Sequence, residues 1–226
     1  MDVAINHNGN GTAVQKQKQP LILRLFANLF SYIFHPIFIP LYCVWFIAYV
    51  HPRYFSGFSD NERLKTLLIT VQNAVFYPLF TVLLLKGVGF IDSIYLRTSK
   101  DRIIPYIASG IFFFWLFTVF KEQELYPRIL ASFFLGVFLS SSAALLANIY
   151  FKISMHAIGV GGMLGLFFII ANGNSMLMTW PLAAALLIAG LVCTARLIVS
   201  DHSPRDIYAG LAIGFLLQLV AAFIML

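Results

Sequence analysis

Apolar stretches dominate the chain, and charged residues punctuate them at long intervals. Six intervals lack Asp, Glu, Lys and Arg altogether: 25–52, 66–85, 103–120, 129–151, 153–195 and 207–226. A helix needs about 20 mostly apolar residues to cross a bilayer, because lipid cannot satisfy open backbone groups. Five of the intervals suit one helix each. The interval 153–195 is too long for a single crossing. Ala171-Asn172-Gly173-Asn174-Ser175 interrupts it, and Pro181 lies just inside the next segment. That is turn chemistry between two helices. The pattern predicts an all-α fold, a polytopic membrane helical bundle with about six to seven transmembrane helices. Pro36 and Pro40 leave open whether the first interval crosses.

Composition narrows the class. Hydrophobic residues make up 60% of the 226 residues and charged residues 11%, where soluble domains carry about 25% charged residues. With a mean hydropathy of +0.86, this excludes a soluble enzyme, a disordered protein and a secreted disulfide scaffold. Residues 1–24 read as a flexible polar N-terminal tail and 25–226 as the transmembrane domain. The tail does not resemble a cleaved signal peptide. Cys43 and Cys193 lie inside apolar runs and read as helix-packing residues. The net charge of +6 comes from scattered bases. Membrane lipids are therefore the expected partners, and nucleic acid is not. The oligomeric state is not legible. No Asp or Glu interrupts the charge-free intervals to relay protons, which speaks against a transporter.

Counting crossings brings distant polar residues together. If the first two helices go out and back, the loop 86–102 returns to the starting side. The next pair returns Lys152 and His156 to that side, and the pair after it returns Arg196 to Asp206. Three polar clusters thus meet on one membrane face. The conclusion needs only even numbers of crossings between them.

The third cluster runs from Ala195-Arg196 to His202-Ser203-Pro204-Arg205-Asp206. His202 and Asp206 are one helical turn apart and can share a face. A carboxylate on one imidazole nitrogen makes the other a better nucleophile or base. Arg196 offers a planar fork suited to phosphate. A solvated loop between two helices is the competing reading. The second cluster, Lys152-Ile153-Ser154-Met155-His156, opens a helix. Free N–H groups at a helix start bind anions, and Ser154 adds a hydroxyl. His156 is placed to move a proton. Taken alone, this cluster reads better as a plain N-cap and an interfacial histidine.

Together these residues resemble the type 2 phosphatidic acid phosphatase superfamily, integral-membrane lipid phosphatases that share a site with vanadium haloperoxidases. The family's third motif is Ser-Arg-x5-His-x3-Asp; this chain has Ala195-Arg196, five residues, His202, three residues and Asp206. The second motif is Pro-Ser-Gly-His; this chain keeps Ser154 and His156 but has Ile153 and Met155 beside them. The first motif, Lys-x6-Arg-Pro, is degraded. Arg97, Lys100 and Arg102, with Pro105 beyond, supply bases on the proper side. Lys121 and Arg128 have closer spacing but fall on the opposite face, about 30 Å away. The resemblance covers about residues 86–226.

The resemblance implies hydrolysis of a lipid phosphomonoester or pyrophosphate through a phosphohistidine, with no cofactor and no metal. Phosphatidylglycerol phosphate, undecaprenyl pyrophosphate, phosphatidic acid and lipid A phosphates are all compatible substrates. In this scheme His202 attacks phosphorus, Asp206 orients it, and His156 protonates the leaving group and then activates water. Arg196, Ser154, Arg102, Lys100 and Arg97 hold the phosphate oxygens. A lipid phosphotransferase using the same site, and a non-catalytic membrane transporter or lipid-binding relative, are the alternatives. Lys and Arg are nearly balanced between the two faces once site residues are set aside, so orientation does not follow from charge. The resemblance points to a bacterial cell membrane with the site toward the periplasm.

Overall fold

The computed structural model describes residues 19–96, 98–173, 178–199 and 202–226. Among these residues the fold is all-helical, with six helices long and apolar enough to cross a membrane. The first runs unbroken from Asp60 to Gly87. It comprises α3 (Asp60–Thr70), a π-helical segment (Val71–Phe76) and α4 (Tyr77–Gly87). Pro78 cannot donate a hydrogen bond, and the wider π turn lies directly before that gap. The other five are α5 (Ser99–Glu122), α6 (Arg128–Tyr150), α7 (Met155–Gly173), α8 (Thr179–Val199) and α9 (Pro204–Met225). Each follows a predicted charge-free interval. The break predicted inside 153–195 falls between α7 and α8, with Pro181 in the first turn of α8. Asn174 and Ser175 of that turn lie outside the described residues.

The interval 25–52 is not one helix. It divides into α1 (Leu21–Ile33) and α2 (Ile39–Trp45), which continues as a π-helical segment to Val50. Pro36 explains the break: it removes a donor and disfavours helical geometry at His35. Pro40 lies in the first turn of α2, where proline is tolerated. Neither piece has the length of a full crossing. The helix α1 starts at Leu21, so the end of the expected tail is helical.

Only a narrow face of α1 packs inward. Ala27 and Ser31 are buried, while Leu21, Ile22, Leu25, Phe26 and Leu29 are exposed. That is the reverse of a surface helix in water and fits an apolar surround. Cys43 is buried and Cys193 half-buried, both as free thiols.

The tightest packing is between α7 and α9. A Cβ added at Gly214 would collide with the carbonyl oxygen of Ile158 and stand 2.8 Å from the backbone nitrogen of Gly162. One added at Gly161 would collide with the carbonyl oxygen of Leu211, and one at Gly210 would stand 2.9 Å from the Ser154 carbonyl oxygen. Small residues let helix backbones approach in lipid, where van der Waals packing drives association. Deeper in the bundle, Gln218 on α9 is fully buried and its Nε2 donates to the Phe133 carbonyl of α6 at 3.1 Å.

Gly214→Ala should therefore destabilise the fold by about 1–3 kcal/mol, the usual effect of overpacking a tight interface. Gly190→Ala, where a Cβ meets nothing within 4 Å, should be neutral or slightly stabilising. Thermal unfolding of the two variants in detergent checks the difference.

Candidate active site

The tight α7–α9 pairing sets the starts of those two helices side by side. The Ser154 N–H donates to the Asp206 carbonyl at 3.4 Å, and His202 Nδ1 lies 3.1 Å from the Lys152 carbonyl oxygen. At the same end, Asn148 Nδ2 donates to the Ser99 carbonyl at 2.8 Å, tying the end of α6 to the start of α5. The three polar clusters thus meet at one end of the bundle, as the crossing count requires.

A cavity of about 650 Å³ opens there. His35, Arg102, His156, Arg196 and His202 line its polar part. Pro78, Leu79, Val82, Leu83 and Phe113 line its apolar part, and Ser140 and Gln218 line it deeper between the helices. The Oγ of Ser140 and the Oε1 of Gln218 are buried and have no hydrogen-bond partner among the described residues. A chamber with a cationic, imidazole-rich mouth and an apolar interior suits an anion attached to a hydrocarbon.

His202 sits between α8 and α9, with its side chain 8% exposed. A carbonyl oxygen only accepts, so Nδ1 carries the proton and donates it to Lys152. The Nε2 lone pair is then available as a nucleophile. Burial, and then the positive charges of Arg196 and Lys152, push the His202 pKa below its ordinary value. The imidazole is therefore neutral near pH 7, as a nucleophile requires.

Asp206 does not hold His202 as expected. Its Oδ2 is 3.9 Å from His202 Nδ1, beyond hydrogen-bond distance. The same oxygen accepts the Ser203 N–H at 2.8 Å, and the Asp206 N–H donates to Ser203 Oγ at 3.3 Å. This capping box closes the first turn of α9 and engages the carboxylate. Orientation of His202 falls to a backbone carbonyl, with Asp206 as a nearby negative charge.

His156, in the first turn of α7, has its Nε2 3.1 Å from the Ser31 carbonyl oxygen. Nε2 therefore carries a proton and Nδ1 the lone pair. Its ring meets the ring of His35 edge to face, with centroids 5.3 Å apart and planes at 83°. Neither Ser31 nor His35 was among the residues singled out in the sequence. The available signal was Asn28, Ser31 and His35, spaced three and four apart, polar residues at helical spacing inside an apolar interval that Arg24 opens.

The basic residues of the first cluster separate. Arg102 is buried, lines the cavity, and donates from Nε to the Leu96 carbonyl at 2.8 Å. Leu96 holds φ +48, a left-handed conformation uncommon for leucine, on the same cavity wall. Lys100 is exposed on the first turn of α5 and does not line the cavity. Arg97 lies outside the described residues. Ser154 is fully buried beneath the cavity wall, and its Oγ accepts the Ala157 N–H at 3.4 Å. It acts as a helix cap, so the expectation that it binds phosphate is not met by its placement. Ala195, where the motif has serine, is buried. Among the described residues no group of three His, Cys, Asp or Glu is arranged to hold a metal ion.

Residues 140–225 match the family model of the PAP2 superfamily. No curated protein and no solved structure matches the chain. The matched segment contains Ser154, His156, Arg196, His202 and Asp206, whereas His35, Lys100 and Arg102 lie outside it. The superfamily implies phosphatase-type activity on phosphate esters.

A histidine whose folded pKa is depressed binds fewer protons than the unfolded chain just below pH 6.5, so its contribution to stability is lost as the pH falls through that range and regained as it rises. In NMR titrations His202 should titrate below about 6.5. Arg196→Gln should move that midpoint upward, and Lys152→Gln should move it upward by less.

Proposed function

We propose that the protein is an integral-membrane lipid phosphatase working through a phosphohistidine on His202. The observation that carries this reading is His202 on one wall of a cavity it shares with His156, Arg102 and Arg196. The PAP2 superfamily match over the segment containing His202 and His156 supports the same chemistry. The apolar continuation of the cavity, and its position at the helix ends, support a substrate whose phosphate lies at the interface with its tail in hydrocarbon.

In the first step the His202 Nε2 lone pair attacks phosphorus. The N–P bond forms as the P–O bond to the lipid breaks. The departing oxygen takes a proton from His156, protonated at Nδ1 for this half of the cycle. In the second step the neutral Nδ1 accepts a proton from water as its oxygen attacks the phosphohistidine, releasing phosphate and restoring His202. The Lys152 backbone carbonyl accepts the hydrogen bond from His202 Nδ1–H throughout, and Asp206 stabilises the positive charge that builds on that ring. Arg102 and Arg196 compensate the charge on the non-bridging oxygens, where it concentrates in the transition state.

Purified protein should release phosphate from at least one of phosphatidylglycerol phosphate, undecaprenyl pyrophosphate, phosphatidic acid and a lipid A phosphate, with EDTA leaving the rate unchanged. His202→Ala should abolish release, and His156→Ala should slow it by about 10²- to 10⁴-fold, as loss of a general acid–base does. Phosphate release by His202→Ala at the wild-type rate would sink the reading.

A further inference from the structure

We infer that His35 is a positioning residue for His156, and that the turn between α1 and α2 is part of the reaction machinery. The reaction that His156 serves rests on the lipid phosphatase reading above; the positioning itself rests on geometry alone. Both partners of the His156 ring come from this one segment. Ser31, in the last turn of α1, accepts the Nε2–H at 3.1 Å. His35, four residues on, packs its ring edge to face at 5.3 Å, within the separation aromatic pairs favour. The carbonyl fixes which nitrogen carries the proton, and the neighbouring ring restricts rotation of the imidazole.

The turn that delivers these groups is itself held. Pro36 fixes its own backbone torsion, and the Ile37 N–H approaches His35 Nδ1 at 3.4 Å. Gly159, one turn beyond His156, faces the turn: a Cβ there would stand 3.4 Å from Ile39 Cγ1 and 3.6 Å from Pro36 Cα. The proline turn thus docks on the same stretch of α7 that presents His156. The polar residues around this turn open onto the same space, since Asn28, Ser31, Tyr32 and His35 all line the cavity. None of these residues falls within the segment matched to the superfamily.

Positioning has a signature that substrate binding and mere folding lack. With full-length protein and a lipid phosphate that the wild type hydrolyses, His35→Ala should lower kcat by about 10- to 100-fold, as misplacement of a reacting group does. KM should change much less than kcat, because the main effect of His35 on the reaction passes through His156. His35→Phe keeps a ring against His156 and should recover most of kcat. In ¹⁵N-histidine NMR of the wild type, His156 (assigned by its loss in His156→Gln) should show one tautomer, protonated at Nε2. His35→Ala should show a mixture. If His35→Ala does not fold, His35→Gln, which also lacks the ring, replaces it in both measurements.

Wild-type kcat in His35→Ala, or a raised KM with kcat unchanged, overturns the proposal. So does a His156 tautomer that is mixed in the wild type or unchanged in the variant. A wild type inactive on every lipid phosphate would instead remove the phosphatase reading, and the tautomer comparison would still decide whether His35 positions His156.

Discussion

The site depends on how closely α7 and α9 approach. Glycines 161, 210 and 214 sit where any side chain would meet the backbone of the facing helix. That proximity sets residues 152–156 beside residues 202–206. It lets the Lys152 carbonyl take the Nδ1–H of His202, and it lets the Ser154 N–H reach the Asp206 carbonyl. A hydrogen bond loses its value over a few tenths of an ångström. The tautomer of His202, and so its fitness as a nucleophile, is fixed by helix packing that continues well into the membrane. Gln218 extends the same logic to α6 through the Phe133 carbonyl.

Charge completes what packing starts. Arg102, Arg196 and three histidines line one partly enclosed space. At reduced dielectric their repulsion and desolvation are unfavourable until an anion enters. The depressed pKa of His202 expresses that stress: burial first, then the neighbouring cations, keep its imidazole neutral. Asp206 is the nearby acid, and it also caps α9. One carboxylate therefore holds the helix start in place and supplies negative charge beside the nucleophile.

Much of this was legible in the residue pattern. Charge-free intervals located the six long helices because hydrocarbon tolerates few charges, and even crossings placed the three clusters on one face. The spacing of Arg196, His202 and Asp206 anticipated that His202 would head α9. What the pattern left open or missed were matters of local competition. Pro36 divided the first interval, since a proline can kink a membrane helix or end it. Ser154 and Asp206 serve as caps, a role their motif positions do not distinguish from ligation. Lys100 is exposed and off the cavity lining, while Arg102, two residues on along α5, is buried against it. His35 was not singled out in the sequence at all; only the fold shows that it lines the cavity beside His156.

The central claim is that His202 carries the phosphoryl group between the two half-reactions. The most direct test mixes purified protein with lipid labelled in its phosphate, stops turnover within a single cycle and maps any protein-bound phosphate. The account predicts an acid-labile, alkali-stable phosphoryl group on the peptide containing His202, absent in His202→Ala. Turnover with no protein-bound phosphate at His202, or with the label on another residue, would contradict it.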